Sequence, residues 1–398
     1  MDENVVDLNK ERKKRARKPF RPLRSLLSAI FIFVVVGLVL YAVINRDQLQ
    51  GNPMLAFFER LNIPFQREGE PADQFIYDRN LRNSVQVYRN GLVILSPARL
   101  AVHDVSGREQ VSIAVNMPNP VLRVGDNALL SFDRGGQALL IHRRYELRRS
   151  EVFEHGIINA HMNVDGRYLL ITRQPGYAAV ITVYNADDRR MYQWFSAAQF
   201  VVDAALSPHA NAIAVATVRQ DGIAALGEVR LFNARDDSGE PAYVFSQPDG
   251  VPLAVTYRRG NVIATLWEDE LILLDNQARE IARWGWSGQV LRSFSFGGDY
   301  IVLQVSRYQS EGGSTIVVLD NDGNVIAEKA FGEDIIDLDA GGGKIALLTR
   351  DAGVVYSTRL EELGVVMIEP DERGVIVRDD GSLVLLGQRA ARVISIEE

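Results

Sequence analysis

The chain has 398 residues, 47% of them hydrophobic and none of them cysteine, with 44 Lys/Arg against 51 Asp/Glu for a net charge of −7. The lack of cysteine excludes disulfides, thiolate metal sites, a cysteine nucleophile and a lipid-modified cysteine together. Charge is unevenly placed: the residues after 45 carry 35 basic and 47 acidic side chains, a net of −12, which argues against nucleic acid as a partner of that part.

Residues 1–24 form a basic tail with nine cations, Lys10, Arg12, Lys13, Lys14, Arg15, Arg17, Lys18, Arg21 and Arg24, against four acids, of which only Glu11 lies within the basic stretch 10–24. Residues 26–44 carry no charge, and at ~1.5 Å rise per residue a helix there matches the ~30 Å hydrocarbon core of a bilayer. A cleavable signal would have a shorter apolar run and a small-residue cleavage site, whereas this one ends in Tyr41-Ala42-Val43-Ile44. The expectation is an uncleaved single-span anchor over 25–45. Basic clusters stay on the cytoplasmic side, so the N-terminus is expected in the cytoplasm and the rest of the chain outside the cell membrane.

Residues 46–72 change character twice. Asn52-Pro53 has the form of a helix N-cap and first turn, and Met54, Leu55, Phe57, Phe58 and Leu61 fit one side of a short helix ending before Pro64. That helix either packs under the body or lies in the headgroup layer. "QREGEPADQ" then reads as a solvated linker.

From residue 73 to 398 the sequence repeats. Segments opening at Ser84, Pro120, Ile157, Val201, Pro252, Val290, Ile335 and Gly374 share an apolar strand, a polar or glycine turn and a second β-rich strand. Most continue with a third strand such as "EVRLFNA" or "TIVVLDN", then a turn and a fourth strand. Four antiparallel strands repeated in this way predict an all-β fold, a β-propeller of four-stranded blades. The last unit supplies three strands, and "QFIY" at 74–77 is a strand left over before the first unit. If that strand completes the last blade, the ring has eight blades and no open seam. The alternative is seven blades, with the short second unit absorbed as an irregular one.

The basic-then-apolar N-terminus, the exit "NRDQLQ", "NPVLRVGDNALLSFDRGGQALLI" at 119–141 and "VVDAALSPHANAIAVATV" at 201–218 resemble the domain-of-unknown-function family 5711. The resemblance implies a bacterial single-pass protein with an external propeller-like region, and it brings no catalytic residues with it. "SPHAN" departs from the usual Ser-Pro-Asp-Gly turn, a change that a strand-joining turn tolerates.

Several motifs fail on chemistry. "GGGK" at 341–344 is followed by Ile345 where a phosphate loop needs Ser or Thr, and by a strand where it needs a helix. "DNDGN" from Asp320 has Phe331 where a calcium loop needs a glutamate. His155 and His161 with Glu154 lack a third ligand at zinc spacing. Trp194, Trp267, Trp284 and Trp286 read as blade packing or rim residues rather than a carbohydrate platform. No cofactor, metal or catalytic group is expected.

One series suggests binding. The junction between second and third strands carries Arg99, Arg134, Arg173, Arg219, Arg307, Arg350 and Arg389, and only the fifth unit breaks it, with Trp267-Glu268-Asp269. Arginines on one rim of an acidic body suit carboxylate or phosphate groups. They can equally serve as partners for nearby acids such as Asp133, Asp221 and Asp351. The sequence thus predicts a non-enzymatic binding scaffold for a protein or an anionic envelope polymer. The alternatives are a structural subunit held through its membrane helix, or a propeller hydrolase or quinoprotein, for which no compact catalytic cluster is evident.

Overall fold

The computed structural model describes residues 72–77, 84–208, 211–236, 238–307 and 313–395. The described residues all belong to one compact unit, 70–398. The expected anchor at 25–45 and the expected helix after Asn52 lie outside them. No helix among the described residues is long and apolar enough to cross a membrane.

The described residues form eight sheets of four antiparallel strands. In chain order the blades span 84–114, 120–152, 157–196, 200–248, 252–285, 289–331 and 337–367, and the eighth takes 374–394 together with β1 (Gln74–Ile76). The ring therefore has eight blades, and the second unit forms a regular one. The leftover strand closes it: Gln74, Phe75 and Ile76 pair with Arg392, Ala391 and Ala390. The Tyr77 hydroxyl donates to the carbonyls of Gly387 at 2.7 Å and Ala390 at 3.1 Å, pinning the strand's end.

Burial follows strand position. Second strands are buried through their middles, and Gly91–Leu95 along its whole length, because sheets cover both faces, so they read as continuous apolar runs. Fourth strands such as Glu146–Val152 are largely exposed and rich in charge. The core is a set of wedges between neighbouring blades. Tyr88, Leu95 and Leu129 belong to the wedge between blades 1 and 2. Phe75, Leu92, Ile94, Val384 and Ala391 form the one between blades 8 and 1.

Turn chemistry sets the register. In the turn after the third strand of blade 6, Asp320 accepts the N–H groups of Asp322 at 2.9 Å and Asn324 at 2.8 Å, and Gly323 takes φ 86°. Asp104, Asn185 and Asp275 do the same in blades 1, 3 and 5. This side-chain-to-backbone turn explains "DNDGN" without a metal. "GGGK" is the tight turn between the first two strands of blade 7, with Gly342 and Gly343 at positive φ.

The inner strands are stitched to one another around the channel. Asp203 Oδ2 accepts the Val255 N–H at 3.1 Å, Asp337 Oδ2 that of Val375 at 2.9 Å, and Asp339 Oδ2 that of Val377 at 2.9 Å. Arg258 Nη2 donates to the carbonyls of Gly298 and Tyr300, both at 3.0 Å, clamping blade 5 to blade 6. Burial raises the pKa of all three aspartates, and the backbone donors partly offset it.

Candidate binding face

Antiparallel alternation places every junction between second and third strands on the face that also carries the link from one blade to the next. The contacts bear this out: Arg134 pairs with Ile157 at the start of the inner strand of blade 3, and Gly135 N–H donates to the Ile157 carbonyl at 2.7 Å. All seven arginines occupy such junctions. Arg99 opens a third strand, Arg173 and Arg219 lie near the ends of second strands, Arg307 ends one, and Arg134, Arg350 and Arg389 sit in the turns.

Their surroundings divide them. Arg99 donates to Glu109 at 2.5 Å and to Ser112 at 3.1 Å. Arg219 stands 3.8 Å from Asp221 and 3.9 Å from Glu228, but Glu228 is already engaged by Arg230 at 2.7 Å. Arg350 lies 3.6 Å from Asp334, both of them exposed. Arg134, Arg173 and Arg389 are exposed and form no ion pair among the described residues. Asp133 is used locally instead, accepting the Asn119 N–H at 2.7 Å. Screened surface pairs of this kind hold their arginines weakly, so most of the rim keeps donor capacity.

Blade 5 breaks the series for a packing reason. Trp267 is buried, its indole N–H donates to Thr265 Oγ1 at 2.9 Å, and a side chain at Gly227 would collide with its ring. Glu268 and Asp269 beside it are exposed, leaving an acidic gap in the rim. Trp194 and Trp286 are also buried, in keeping with packing roles.

Sequence reasoning missed a set of exposed apolar residues on the same face. Tyr177, Phe195, Phe200 and Ile223 sit at strand ends or turn tips of blades 3 and 4; Phe200 is 64% exposed, and Ile223 is fully so. The rings of Tyr177 and Phe195 lie 4.9 Å apart. The available signal was aromatic and β-branched residues inside the turns "RQPGYAA" and "RQDGIAALGE", where strand packing has no use for them. Arg173 and Arg219 belong to the same two junctions.

Residues 75–362 match the family of unknown function DUF5711. The chain belongs to this family. No curated protein matches the DUF5711 chain. Among solved structures it is similar to the C-terminal WD40 domain of Sif2, at 11% identity and a TM-score of 0.56, covering 82% of this chain and 96% of that one. The β-propeller domain of Cps50 (Swd1) from Myceliophteria thermophila aligns at 9% identity with a TM-score of 0.49, over 79% of this chain and 96% of that one. The first likeness agrees with the propeller fold.

Proposed function

We propose that this chain is a single-span membrane protein whose extracytoplasmic propeller is a docking scaffold for a protein partner with an acidic surface. The observation that carries the reading is the shared position of Arg173 and Arg219 with Tyr177, Phe195, Phe200 and Ile223 on one face of blades 3 and 4. Exposed apolar side chains set among polar ones on one face suit an interaction surface, and aromatic residues with arginine dominate interface hot spots. The net charge of −12 outside the N-terminal region gives those arginines a local rather than a general attraction. The membrane part of the reading rests on the uncharged run 26–44 and its basic flank.

The test is co-purification from crosslinked membranes at low and high salt, comparing the wild type with Arg134→Gln, Arg173→Gln and Arg219→Gln combined. The expected result is loss of the partner by the variant and weaker recovery of the wild type as salt rises. Recovery of an acidic envelope polymer rather than a protein would reassign the partner. Unchanged, salt-insensitive recovery by the triple variant would move the contact to the membrane segment.

A further inference from the structure

The inner strands of blades 3, 4, 5 and 6 each carry a register shift close to their start, between Ile157 and Asn159, Val201 and Asp203, Pro252 and Ala254, and Leu291 and Ser293. The inner strands of blades 1, 2, 7 and 8 pair with their neighbours without one. A bulge adds one residue and re-aims its side chain. The added residues are Ile158, Val202, Leu253 and Arg292, and the first three line a single cavity of about 600 Å³. In blade 6 Arg292 turns aside to donate to Ser306 Oγ at 2.6 Å, and Phe294 and Phe296 supply the wall in its place. Half of the channel mouth is therefore apolar, with Leu253 44% and Phe294 39% exposed to it.

The blade 2 side of the cavity is cationic, with Arg123 and Arg134 in its lining. Arg123 Nε donates to the Ala160 carbonyl at 2.8 Å and Nη2 to Asn159 Oδ1 at 3.1 Å. Asn159 Nδ2 in turn donates to Asp203 Oδ1 at 3.0 Å, and the other Asp203 oxygen holds Val255. This floor satisfies itself. Arg134 also lines the cavity, and it acts on Asp203 through space without reaching ion-pair distance. Two guanidiniums thus face one carboxylate, and the surplus positive charge belongs to the one that is exposed.

We propose that this mouth binds a small apolar group bearing one carboxylate, the apolar part against Ile158, Val202, Leu253 and Phe294 and the carboxylate on Arg134. A repeated bulge that turns aliphatic side chains toward an otherwise solvent-filled channel leaves apolar surface in water, and an apolar ligand removes it. The surplus guanidinium selects an anion over a neutral group of the same shape. The site shares Arg134 with the arginine rim of the docking reading but needs no macromolecule, and its test, on small probes, is independent of partner recovery. The same chemistry is offered by a free arylalkyl acid or by the C-terminal residue of a peptide.

The chain has no cysteine, so Leu253→Cys in the full-length protein, held in zwitterionic lipid nanodiscs, gives one reporter thiol in the site. The rate of its modification by a neutral maleimide is measured with 3-phenylpropionate, with 3-phenylpropanol, and with Gly-Gly-Gly-Phe bearing a free or an amidated C-terminus. One charge-assisted hydrogen bond predicts that acids protect at roughly tenfold lower concentration than their neutral counterparts. Arg134→Gln should erase that difference. Val202→Cys should respond in the same way, while Val164→Cys, in the turn after the inner strand of blade 3, should not respond. Protection by the phenylpropionate alone identifies a free acid, and protection by the free-carboxyl peptide identifies a chain terminus. No protection by any probe, or equal protection by acids and neutral compounds, overturns the proposal.

Discussion

Phe75 lies opposite Ala391 in the antiparallel pair that closes the ring, and both side chains are sealed from solvent. The Phe75 ring packs with Leu92 and Ile94 of blade 1 and with Val384 of blade 8, so one residue near the start of the propeller fastens its last blade to its first.

Closure should therefore govern stability. A chain beginning at Glu70 is expected to fold, while one beginning at Ser84 loses the outer strand of blade 8 and exposes an edge. Phe75→Ala in the longer chain should cost about 3 to 5 kcal/mol, the usual effect of removing a buried phenylalanine. Thermal melting of the three proteins is the measurement. Equal midpoints for the two truncations would mean that strand exchange does not hold the ring.

The blade repeat was legible because turn residues recur at fixed offsets. Asp104, Asn185, Asp275 and Asp320 each announce the same turn, and the continuous apolar runs between them mark strands covered on both faces. The arginine junctions were legible for the same reason, since strand alternation alone places them. The pairing of each arginine was not, because it depends on which acid a third dimension brings near: Glu109 rather than any acid beside Arg99, and Asp334 rather than Asp351 for Arg350. The channel stitches were hidden too. Asp203 and Asp339 look like ordinary strand acids until the next blade offers its backbone N–H. The bulges left a faint trace in "II" at 157–158, "VV" at 201–202 and "PL" at 252–253, adjacent apolar residues where alternation expects one, and none in the Leu291-Arg292 of blade 6.

His142 is fully buried in the third strand of blade 2, and neither ring nitrogen has a hydrogen-bond partner among the described residues. Burial lowers its pKa from 6.5 to about 4. A base held neutral in this way contributes stability that is present above 6.5 and lost as pH falls toward 4. His142→Leu should therefore flatten the decline in urea midpoint over that window. Burial lowers His161 to about 4 as well, so part of the decline should persist. An unchanged pH profile in the variant would show that His142 protonates as readily folded as unfolded.

Asp337 works in the opposite direction. Burial first, then the neighbouring Asp339 charge, raises its pKa, although the Val375 and Leu338 N–H groups oppose the shift. A carboxyl raised in the folded state favours folding most below its unfolded value of 3.8 and loses that contribution as pH rises through the folded pKa. Asp337→Asn keeps an oxygen for the Val375 N–H and removes the charge. Its midpoint relative to wild type should improve between pH 4 and pH 7. A constant difference across that range would assign Asp337 a purely geometric role.

The two components of the proposed docking face should separate by their salt response. Phe200 and Ile223 are exposed and lie outside the inter-blade wedges, so Phe200→Ser with Ile223→Ser should leave the melting temperature within about 2 °C of wild type, as surface changes usually do. If they anchor a partner, this pair of changes should weaken binding by about 2 kcal/mol or more, the hot-spot range, while the slope of affinity against salt stays as in wild type. Arg173→Gln with Arg219→Gln should do the reverse, lowering the salt slope because two charged contacts have gone. Affinity measured against salt for wild type and both double variants, with the captured partner, decides the matter. Parallel lines for wild type and the arginine variant would remove those arginines from the contact, and unchanged affinity in the Phe200 and Ile223 variant would leave a purely electrostatic rim, the behaviour expected of a polymer ligand rather than a folded partner.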